Sequence, residues 1–469
     1  MPYLAELLGR QDLPQVWVSG LAWDSRRVQP GDLFFALPGT KRDGHAFALE
    51  AVRRGAVAVV AERPLPGLSV PVVLVPDARA ALAQAACAFH GHPTKKLFTI
   101  GVTGTNGKTT VVHFLGQLLP ECETLTTVRV EEEGLSCVTT PEAPDLQRLA
   151  AEALEKGRRF FAFEASSIGL VQHRVDGVHL RAAVFTSFAR DHLDFHRTLE
   201  AYLAAKLLLF RMLPEGAWAV VNVRAPVEAV RAAAPRARLL TYGLGRGEVR
   251  ATRVVEKPEG THCLVEGPFG RGEVFLPFPG VHNVENALAA LSLGWALGFS
   301  WQELQPRLSA LSLPPGRFAR FRTPRGAEVV VDFAHNPAAL ARMLGELRPR
   351  AARLIAVFGC PGEADRGKRS HMGRIAGQLA DLVVITTDNP KSEDPREIAK
   401  EVARGVCAVG GWFTVILDRE EAIRFALALA GPGDCVLIAG KGHERRQILA
   451  HAALPFSDLA VVQELVGAA

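Results

Sequence analysis

The sequence has few features of a secreted protein, a membrane protein or a protein stabilised by a structural metal ion. Only seven of its 469 residues are cysteines, and they are scattered singly along the chain. An odd number of cysteines without paired spacing argues against a disulfide framework and against a zinc site. The N-terminus has no basic flank followed by an apolar core, and no apolar run is long enough to span a bilayer. We therefore expect a reduced, cytoplasmic protein with no signal peptide and no membrane partner.

The sequence also lacks a strong excess of charge of one sign. It has 54 basic and 49 acidic residues, which gives a formal net charge of +5 at pH 7. No run of lysine or arginine resembles a nucleic-acid-binding tail, so a small anionic substrate explains the excess equally well. Hydrophobic residues make up 48% and charged residues 22%, as in ordinary globular proteins. We expect a monomer without a nucleic-acid partner.

Length and hydrophobic pattern predict several α/β domains. The chain is too long for one core, at roughly 100–200 residues per domain. Helical patterns at 46–54, at 78–90, from Lys108 and after Pro141 alternate with short aliphatic runs. Such alternation predicts parallel sheets covered by helices. The predicted strands are 32–37, 56–61, 72–75, 97–102, 160–165, 182–188, 218–223, 328–333, 353–358, 382–387 and 435–439.

Two segments are candidate domain boundaries. Residues 90–96 are polar and contain a proline, and residues 313–316 contain two prolines and a glycine. They divide the chain into 1–94, 95–314 and 315–469. The last part has the strand and helix pattern of a doubly wound, Rossmann-like domain.

Residues 100–110 carry the sequence of a phosphate-binding loop between a predicted strand and a predicted helix. Glycines let backbone N–H groups turn toward phosphate oxygens, and the helix N-terminus favours negative charge. Lys108 would bring a point charge to the β- and γ-phosphates of ATP. The strict motif needs glycine at position 102, where this chain has Val102, so the loop is a variant. We predict nucleotide binding by Gly104, Thr105, Asn106, Gly107, Lys108, Thr109 and Thr110.

Three further residues have two possible interpretations on the sequence alone. Glu164 ends a hydrophobic strand, where it could hold Mg²⁺ beside Thr109 or cap the next helix. His192 follows another predicted strand and could be a metal ligand or a solvated loop residue. Lys206 lies within an amphipathic helix, and the residues around it favour a lysine at the rim of that helix.

The order of motifs resembles the Mur ligase family over essentially the whole chain. The resemblance implies an N-terminal UDP-sugar domain, a central ATPase domain and a C-terminal Rossmann-like domain that closes over an amino acid. It also implies a ligase in peptidoglycan synthesis. In this reaction the D-Glu γ-carboxylate of UDP-MurNAc-L-Ala-D-Glu is phosphorylated by ATP, and a diamino acid then attacks the acyl phosphate. The matching residues are 24–26, 30–34, 101–110, 139–141, 164–174, 190–194, 204–206, 280–286, 315–317, 332–335, 388–390 and 439–444.

The resemblance also implies roles for individual residues. Lys108, Lys206, His192 and Glu164 become catalytic residues. Two Mg²⁺ ions would be held by Thr109, Glu164, His192 and Lys206, the last as a carbamate. The nucleotide's adenine and ribose would contact Asn286, Arg317 and Asp332. The muramyl peptide would be held by Thr139, Thr140, Ser166, Gln172 and Arg174, with Ser25 near the UDP. The amino acid would be bound by Arg366, Asp388, Asn389, Lys391, Gly440 and Glu444.

The amino-acid site departs from the family pattern. Members that use meso-diaminopimelate typically read Asp-Asn-Pro-Arg, whereas this chain has Lys391 in the fourth position, a point charge instead of a planar fork. A Gly-Asp-Arg segment upstream usually supplies another arginine, and here either Ala364 or Arg366 takes that place. Glu444 could bind the distal ammonium of any diamino acid. Meso-diaminopimelate, L-lysine and L-ornithine all remain candidates.

Two other functions are possible from the phosphate-binding loop. A folylpolyglutamate synthase would share the loop, the metal site and the lysine, but residues 24–34 argue against it. A P-loop switch or motor would need a partner-binding surface or coupling segments, and the sequence shows neither.

Overall fold

The computed structural model describes residues 2–39, 43–135, 139–257 and 259–467. Within these ranges the chain forms three β-sheets that follow one another in sequence, each accompanied by helices, and a short two-stranded sheet. No helix there is long and apolar enough to cross a membrane. The six cysteines in the described ranges are free thiols, and Cys137 lies outside those ranges.

The N-terminal sheet has four parallel strands in the order β1-β2-β3-β4. Leu33 and Phe35 belong to one buried cluster and Phe34 to another, so the sheet is covered on both faces. Its strands are β1 (Gly20–Ala22), β2 (Asp32–Phe35), β3 (Ala58–Ala61) and β4 (Val72–Leu74), and its helices are α1 (Leu4–Leu8), α2 (Ala48–Arg53) and α3 (Ala78–Phe89).

The central sheet has nine strands, and most of them are parallel. Its strands are β5 (Phe98–Thr103), β6 (Cys122–Leu125), β7 (Phe160–Glu164), β8 (Leu180–Phe185), β9 (Trp218–Asn222), β10 (Arg238–Leu244), β11 (Val249–Lys257), β12 (Gly260–Gly267) and β13 (Gly270–Leu276). The order is β13-β12-β11-β10-β9-β8-β5-β7-β6, and only the pairings of β12 with its two neighbours are antiparallel. Strand β5 therefore lies between β7 and β8, so the loops after these three strands meet at one edge.

Nine helices of the described residues accompany the central sheet. They are α4 (Lys108–Leu118), α5 (Thr127–Glu132), α6 (Ala143–Glu155), α7 (Ser167–Val171), α8 (Leu193–His196), α9 (Leu199–Arg211), α10 (Val227–Ala233), α11 (Val281–Ala296) and α12 (Trp301–Ser309). Two large apolar clusters cover the two faces of the sheet. Leu146, Leu149 and Ala153 of α6 are fully buried and Leu154 packs against them, which confirms the apolar face predicted after Pro141.

The C-terminal sheet has six strands in the order β14-β15-β19-β16-β17-β18, with only β14 antiparallel. The strands are β14 (Ala319–Arg322), β15 (Glu328–Asp332), β16 (Leu354–Phe358), β17 (Leu382–Ile385), β18 (Phe413–Val415) and β19 (Cys435–Ala439), followed by the pair β20 (Arg446–Ile448) and β21 (Ala453–Pro455). The helices are α13 (Pro337–Leu347), α14 (Gly367–Leu379), α15 (Pro395–Cys407), α16 (Arg419–Leu429) and α17 (Asp458–Gly467). The loops that follow β15 and β19 contact the central sheet's loop edge, so polar side chains of both domains meet there.

Candidate active site

The phosphate-binding loop joins β5 to α4 and needs glycine at two points. Gly104 has φ of 147° and Gly107 has φ of 88°, both in the region that favours glycine. A Cβ atom at Gly104 would lie 1.9 Å from Thr186 Oγ1, and one at Gly107 would lie 2.5 Å from Asn286 Oδ1. The loop is therefore packed against the residue that follows β8 and against α11. A side chain at either glycine would displace the loop.

Lys108 is the first residue of α4, and its ammonium folds back onto the loop. Nζ donates to the carbonyl oxygens of Gly104 and Thr105 at 2.9 and 3.0 Å. Burial lowers the pKa of Lys108, while the charges of Glu164 and Asp191 partly oppose that effect. Among the described residues, the direct partners of this ammonium are the two neutral carbonyl groups. A negatively charged phosphate oxygen would form a stronger hydrogen bond with it.

Lys206 approaches the same carbonyl from α9. Its side chain is 1% exposed, its Nζ donates to Gly104 O at 2.8 Å, and it lies 4.3 Å from the centroid of the Tyr202 ring. Burial and the charge of Lys108 lower the pKa of Lys206 well below its ordinary value. A lower pKa increases the share of the neutral amine, which is the nucleophilic form that reacts with carbon dioxide to form a carbamate.

Acidic and imidazole groups face these lysines from the ends of β7 and β8. Glu164 is buried, and its Oε1 accepts hydrogen bonds from the backbone N and Oγ1 of Thr127 at 2.7 and 3.1 Å. Asp191 Oδ2 lies 3.9 Å from His192 Nε2 and 3.8 Å from His335 Nε2. Burial favours the neutral Asp191 carboxyl, but the positive charges around it outweigh that effect and hold its pKa below the ordinary range.

The described residues do not gather a preformed metal site from protein groups alone. No three His, Cys, Asp or Glu side chains in those ranges converge on one point. Burial lowers the pKa of His192, which favours the neutral imidazole, the form that binds a metal. Any divalent cation here would depend on ligands of other kinds, such as a hydroxyl, a carbamate or phosphate oxygens.

Beside the loop is a cavity that both the central and C-terminal domains line. It contains Asn106, Gly107 and Asn286 from one side and Arg317 and Asp332 from the other. Arg317 Nη2 donates to the side chain of Thr109 at 3.2 Å, and Phe318 N donates to Asp332 Oδ2 at 2.9 Å. The structure therefore brings together the residues predicted to contact adenine and ribose.

Two buried donors at this cavity have no hydrogen-bond partner among the described residues. They are Asn106 Nδ2 and Arg317 Nε. Buried polar groups are nearly always paired in folded proteins, and unpaired ones cost free energy. These unpaired donors, beside the phosphate-binding loop, are suited to donate hydrogen bonds to the oxygen atoms of a nucleotide.

A second cavity, of about 250 Å³, lies where the N-terminal sheet meets α6. Trp23 and Arg27 line it from the N-terminal side, and Arg148 lines it from α6. Ser25 is buried next to these residues, and its Oγ donates to Glu50 Oε2 at 3.1 Å. An aromatic ring with two guanidinium groups suits an anionic ligand that carries a flat base.

The residues predicted to hold the muramyl peptide form a hydrogen-bonded group beside Glu164. Arg174 donates to Thr140 O at 2.7 Å and to Gln172 Oε1 at 2.8 Å. Thr140 Oγ1 donates to Glu164 O at 2.8 Å and lies 3.0 Å from Ser166 Oγ. Thr139 is partly exposed and precedes this group in the chain. The group connects the end of β7 to the segment that leads into α6.

The predicted amino-acid residues converge at the ends of β17 and β19. Asn389 Nδ2 donates to Glu444 Oε2 at 2.8 Å, and Lys441 Nζ donates to the same oxygen at 2.6 Å. Burial and the charge of Asp388 raise the pKa of Glu444. A Cβ atom at Gly440 would lie 2.8 Å from Asp388 Oδ2, so these residues are in close contact.

Lys391 and Arg366 occupy the margin of this cluster. Lys391 has φ of 53°, and its backbone N donates to Ile448 O at 3.0 Å. Arg366 is 68% exposed and pairs with Glu393 at 3.1 Å. Arg366 is therefore held in an ion pair at the surface, whereas Asp388, Asn389, Gly440 and Glu444 form the buried part.

Four residues of the site were missed by the sequence analysis. Asp191 and Lys441 lie inside recognised motifs, and their charge next to predicted ligands was an available signal. Asn336 follows another motif and precedes a proline, which is typical of a helix cap. Glu131 gave no signal: burial and the charge of Glu444 raise its pKa to about 7, and that electrostatic interaction joins distant parts of the chain.

Comparisons with known families and proteins find matches along nearly the whole chain. Residues 18–90 match the model described as Mur ligase family, catalytic domain. Residues 102–294 match the Mur ligase middle domain, and residues 316–442 match the Mur ligase, glutamate ligase domain. A relative from Geobacillus thermodenitrificans, named UDP-N-acetylmuramoyl-L-alanyl-D-glutamate--2,6-diaminopimelate ligase, is 41% identical over 486 aligned residues that cover 99% of each chain.

Solved structures show the same architecture. A structure titled UDP-N-acetylmuramoyl-L-alanyl-D-glutamate--2,6-diaminopimelate ligase is 32% identical, covers 100% of this chain and 99% of its own, and has a TM-score of 0.67. MurF ligase from Thermotoga maritima, solved in complex with ADP, is 23% identical, with a TM-score of 0.66 and coverage of 91% of this chain and 95% of its own. The second likeness is one of fold alone.

Proposed function

The chain belongs to the Mur ligase family and is an ATP-dependent ligase of peptidoglycan synthesis, and we propose that it joins a diamino acid to UDP-MurNAc-L-Ala-D-Glu. The amide would form at the γ-carboxylate of D-Glu. One observation carries this proposal. Two lysines, the half-buried Lys108 and the buried Lys206, converge on the carbonyl of Gly104 at the edge where the central and C-terminal domains meet.

The proposed reaction has two steps. A γ-carboxylate oxygen attacks the γ-phosphorus of ATP, the bond to the β-phosphate oxygen breaks, and ADP leaves. The neutral amine of the diamino acid then attacks the acyl carbon, phosphate leaves, and the nitrogen loses a proton. Positioning and charge neutralisation dominate such phosphoryl transfer. Lys108 would neutralise charge on the transferred group, and the orphan donors of Asn106 and Arg317 would orient the nucleotide.

The residues at the loop fit divalent magnesium and a carbamylated lysine. Glu164 Oε2 accepts no hydrogen bond within the described residues, and Thr109 and the neutral His192 offer further donor atoms. Lys206, whose pKa is lowered by burial, would become anionic as a carbamate and supply another oxygen ligand. Two bound Mg²⁺ ions would add positive charge on the phosphoryl oxygens.

The N-terminal cavity and the Arg174 group support the proposal for the UDP-linked substrate. The cavity beside Ser25 would take the UDP portion, and Thr139, Thr140, Ser166, Gln172 and Arg174 would hold the peptide portion. This arrangement would direct the D-Glu end toward Glu164 and the loop. We propose that boundaries near residues 94/95 and 314/315 separate the three domains that share the substrates.

The buried acidic residues of the C-terminal domain support a diamino acid as the third substrate. Glu444 and Asp388 would accept the distal ammonium, which meso-diaminopimelate, L-lysine and L-ornithine all carry. The relatives named above act on 2,6-diaminopimelate, so we expect that amino acid among the substrates. Lys391 would contact its distal carboxylate.

Phosphate release tests the proposed reaction. The purified protein should release phosphate from ATP only when UDP-MurNAc-L-Ala-D-Glu and a diamino acid are both present, and the product should contain a new amide. The three diamino acids would be ranked by kcat/KM. Release that depends on a folate and glutamate would instead indicate a folylpolyglutamate synthase. Release that needs neither amino acid nor precursor would indicate an ATPase of another kind.

The substrates also suggest where and how the enzyme works. ATP and the UDP-linked precursor are both used on the cytoplasmic side of the cell, so we propose a cytoplasmic enzyme. We further propose that it acts as a monomer without a nucleic-acid or membrane partner. Light scattering at the concentrations used for kinetics would show a mass near 50.5 kDa.

A further inference from the structure

Asn336 is completely buried where the C-terminal domain meets the phosphate-binding loop. It follows β15 and is the N-cap of α13, where its Oδ1 accepts a hydrogen bond from Ala339 N at 2.9 Å. Its two amide hydrogens go elsewhere. Nδ2 donates to Asn106 Oδ1 at 3.0 Å and to Asp191 Oδ2 at 3.1 Å. All the donors of this side chain are therefore used, and both acceptors belong to the central domain.

The first of these bonds fixes the orientation of the Asn106 amide. Because its oxygen is occupied by Asn336, its nitrogen is directed elsewhere, and that nitrogen is buried without a partner among the described residues. Asn106 lines the cavity that holds Arg317 and Asp332. The bond thus leaves a donor available for an acceptor in the cavity.

The second bond holds the loop that follows β8. Asp191 is 5% exposed and precedes His192, and its own carboxylate lies 3.9 Å from the His192 ring. A buried carboxylate that accepts a hydrogen bond from a neutral amide is fixed without an added charge. Asn336 therefore reaches both the loop that would bind phosphate and the loop that carries His192.

We propose that Asn336 is a positioning residue that aligns Asn106 and Asp191 when the C-terminal domain docks on the central domain. The two central-domain loops would be held in their productive arrangement by these two bonds, so ATP turnover would depend on the amide of Asn336. This inference rests on the proposed ligase function. Asn336 touches no reacting atom and acts through the two residues it contacts.

Three variants separate this role from helix capping. Asn336→Ser and Asn336→Asp keep an N-cap oxygen but lose the amide donors, whereas Asn336→Ala loses both. Loss of one hydrogen bond to a charged group is worth about 1.5–3 kcal/mol, which corresponds to roughly a ten- to a hundredfold effect. We expect kcat to fall about tenfold for Asn336→Ser and about a hundredfold for Asn336→Asp, which adds repulsion with Asp191.

Two further readouts accompany kcat in the full-length enzyme. The KM for the UDP-linked precursor should stay within about twofold of the parent value, because its expected contacts lie outside this junction. Small-angle scattering with AMP-PCP should show compaction of the parent protein and less compaction of the Ser and Asp variants. This measurement needs no amino acid and no precursor, so its result is independent of the ligase assignment.

The capping alternative gives a different pattern. If only Asn336→Ala loses activity, and Asn336→Ser and Asn336→Asp behave like the parent, Asn336 is a helix cap and the proposal is wrong. Equal losses of thermal stability in all three variants, with unchanged compaction by AMP-PCP, would overturn it as well. Lower kcat and less compaction in the Ser and Asp variants at parental thermal stability would confirm it.

Discussion

Lys206 shows how burial changes the chemistry expected of a side chain. Its ammonium has no carboxylate partner in the described structure, and burial with the charge of Lys108 lowers its pKa. Lys206→Ala should lower kcat by at least about a hundredfold, because it removes the oxygen ligand that the carbamate would supply. Short carboxylic acids such as formate should partly restore turnover. Lys108→Ala is the matched control and should be inactive with or without formate, and equal rescue of both variants would contradict the carbamate role.

In the proposed amino-acid site, Lys391 would set how well a distal carboxylate is bound. An arginine would offer two parallel N–H donors where lysine offers a single charge. Lys391→Arg should raise kcat/KM for meso-diaminopimelate relative to L-lysine by about tenfold, or roughly 1.4 kcal/mol. Lys400→Arg, an exposed substitution of the same kind on α15, should leave the ratio unchanged. An unchanged ratio in Lys391→Arg would show that the carboxylate binds elsewhere.

Glu131 makes the stability of the protein depend on pH. Burial and the charge of Glu444 raise its pKa to about 7. The folded state therefore binds more protons than the unfolded state between about pH 4.5 and 7, and the stability that protonation supplies is lost as the pH rises through 7. Glu131→Gln should gain on the order of 1 kcal/mol at pH 8 relative to the parent, after allowance for solvent screening.

Urea unfolding at several pH values measures this difference directly. The gain of Glu131→Gln should shrink as the pH falls below 7. Glu133→Gln, at the exposed end of the same helix, is the control and should show little change at any pH. A pH-independent gain in Glu131→Gln would mean that packing, and not titration, is responsible.

At the scale of elements, the buried parallel strands were predicted, whereas the antiparallel strands and the partly exposed parallel strands β1, β6, β10 and β18 were not. Strands such as β3 and β19 are buried throughout, so each is a continuous aliphatic run that marks its position, and the run predicted at 435–439 matches β19. The predicted strand at 182–188 is β8, which ends at Phe185 because the chain turns there toward the site. Strands β11 and β13 face solvent along much of their length, and their charged side chains hide the pattern.

The candidate site was predictable for a related reason. Residues next to the ends of strands β5, β7 and β8 were recognised because parallel strands present their carboxyl ends at one edge. Contacts made by α5 and α13 depend on how two domains meet, and local pattern carries no information about that. Glu131 and Asn336 were missed for this reason.

The backbone of the phosphate-binding loop is restricted at Gly104. Gly104→Ala would put a methyl group 1.9 Å from Thr186 Oγ1 at a φ of 147°. We expect ADP affinity to fall by more than about tenfold, because the loop must move to relieve the contact. Gly157→Ala is the matched control, since Gly157 also has a positive φ, 71°, but its Cβ would meet no atom within 4 Å.

Calorimetric ADP titration and thermal unfolding distinguish the two variants. Gly157→Ala should lose on the order of 1 kcal/mol of stability and keep its ADP affinity. Parental ADP affinity in Gly104→Ala would mean that the loop tolerates a side chain and that its conformation is not required for binding.

At the scale of the whole molecule, the proposed reaction would need three domains to share the substrates. The N-terminal cavity, the phosphate-binding loop and the Glu444 cluster lie on different domains, so no domain alone contains all the residues of the proposed site. Polar contacts between the central and C-terminal domains set how these parts align. Some of these contacts are buried next to the nucleotide cavity, and others are exposed at the periphery. The two kinds should contribute differently to the free energy of domain docking.

Two polar side-chain pairs across this junction provide a direct comparison. His282 Nδ1 lies 3.0 Å from Glu346 Oε2, with side chains 15% and 7% exposed, and His282 lines the nucleotide cavity. Arg445 lies 3.5 Å from Glu132, with side chains 74% and 50% exposed. Exposed pairs contribute about 0–1 kcal/mol, whereas removing one partner of a shielded pair costs more.

Glu346→Gln should therefore raise the KM for ATP by about tenfold while leaving the KM for the UDP-linked precursor unchanged. Glu132→Gln should change neither constant by more than about twofold. Steady-state kinetics with each substrate varied in turn measures both effects. A Glu132→Gln variant as impaired as Glu346→Gln would mean that the whole junction acts as one rigid surface. If Glu346→Gln raises both KM values alike, the buried pair stabilises the fold in general and does not act on nucleotide binding through domain docking.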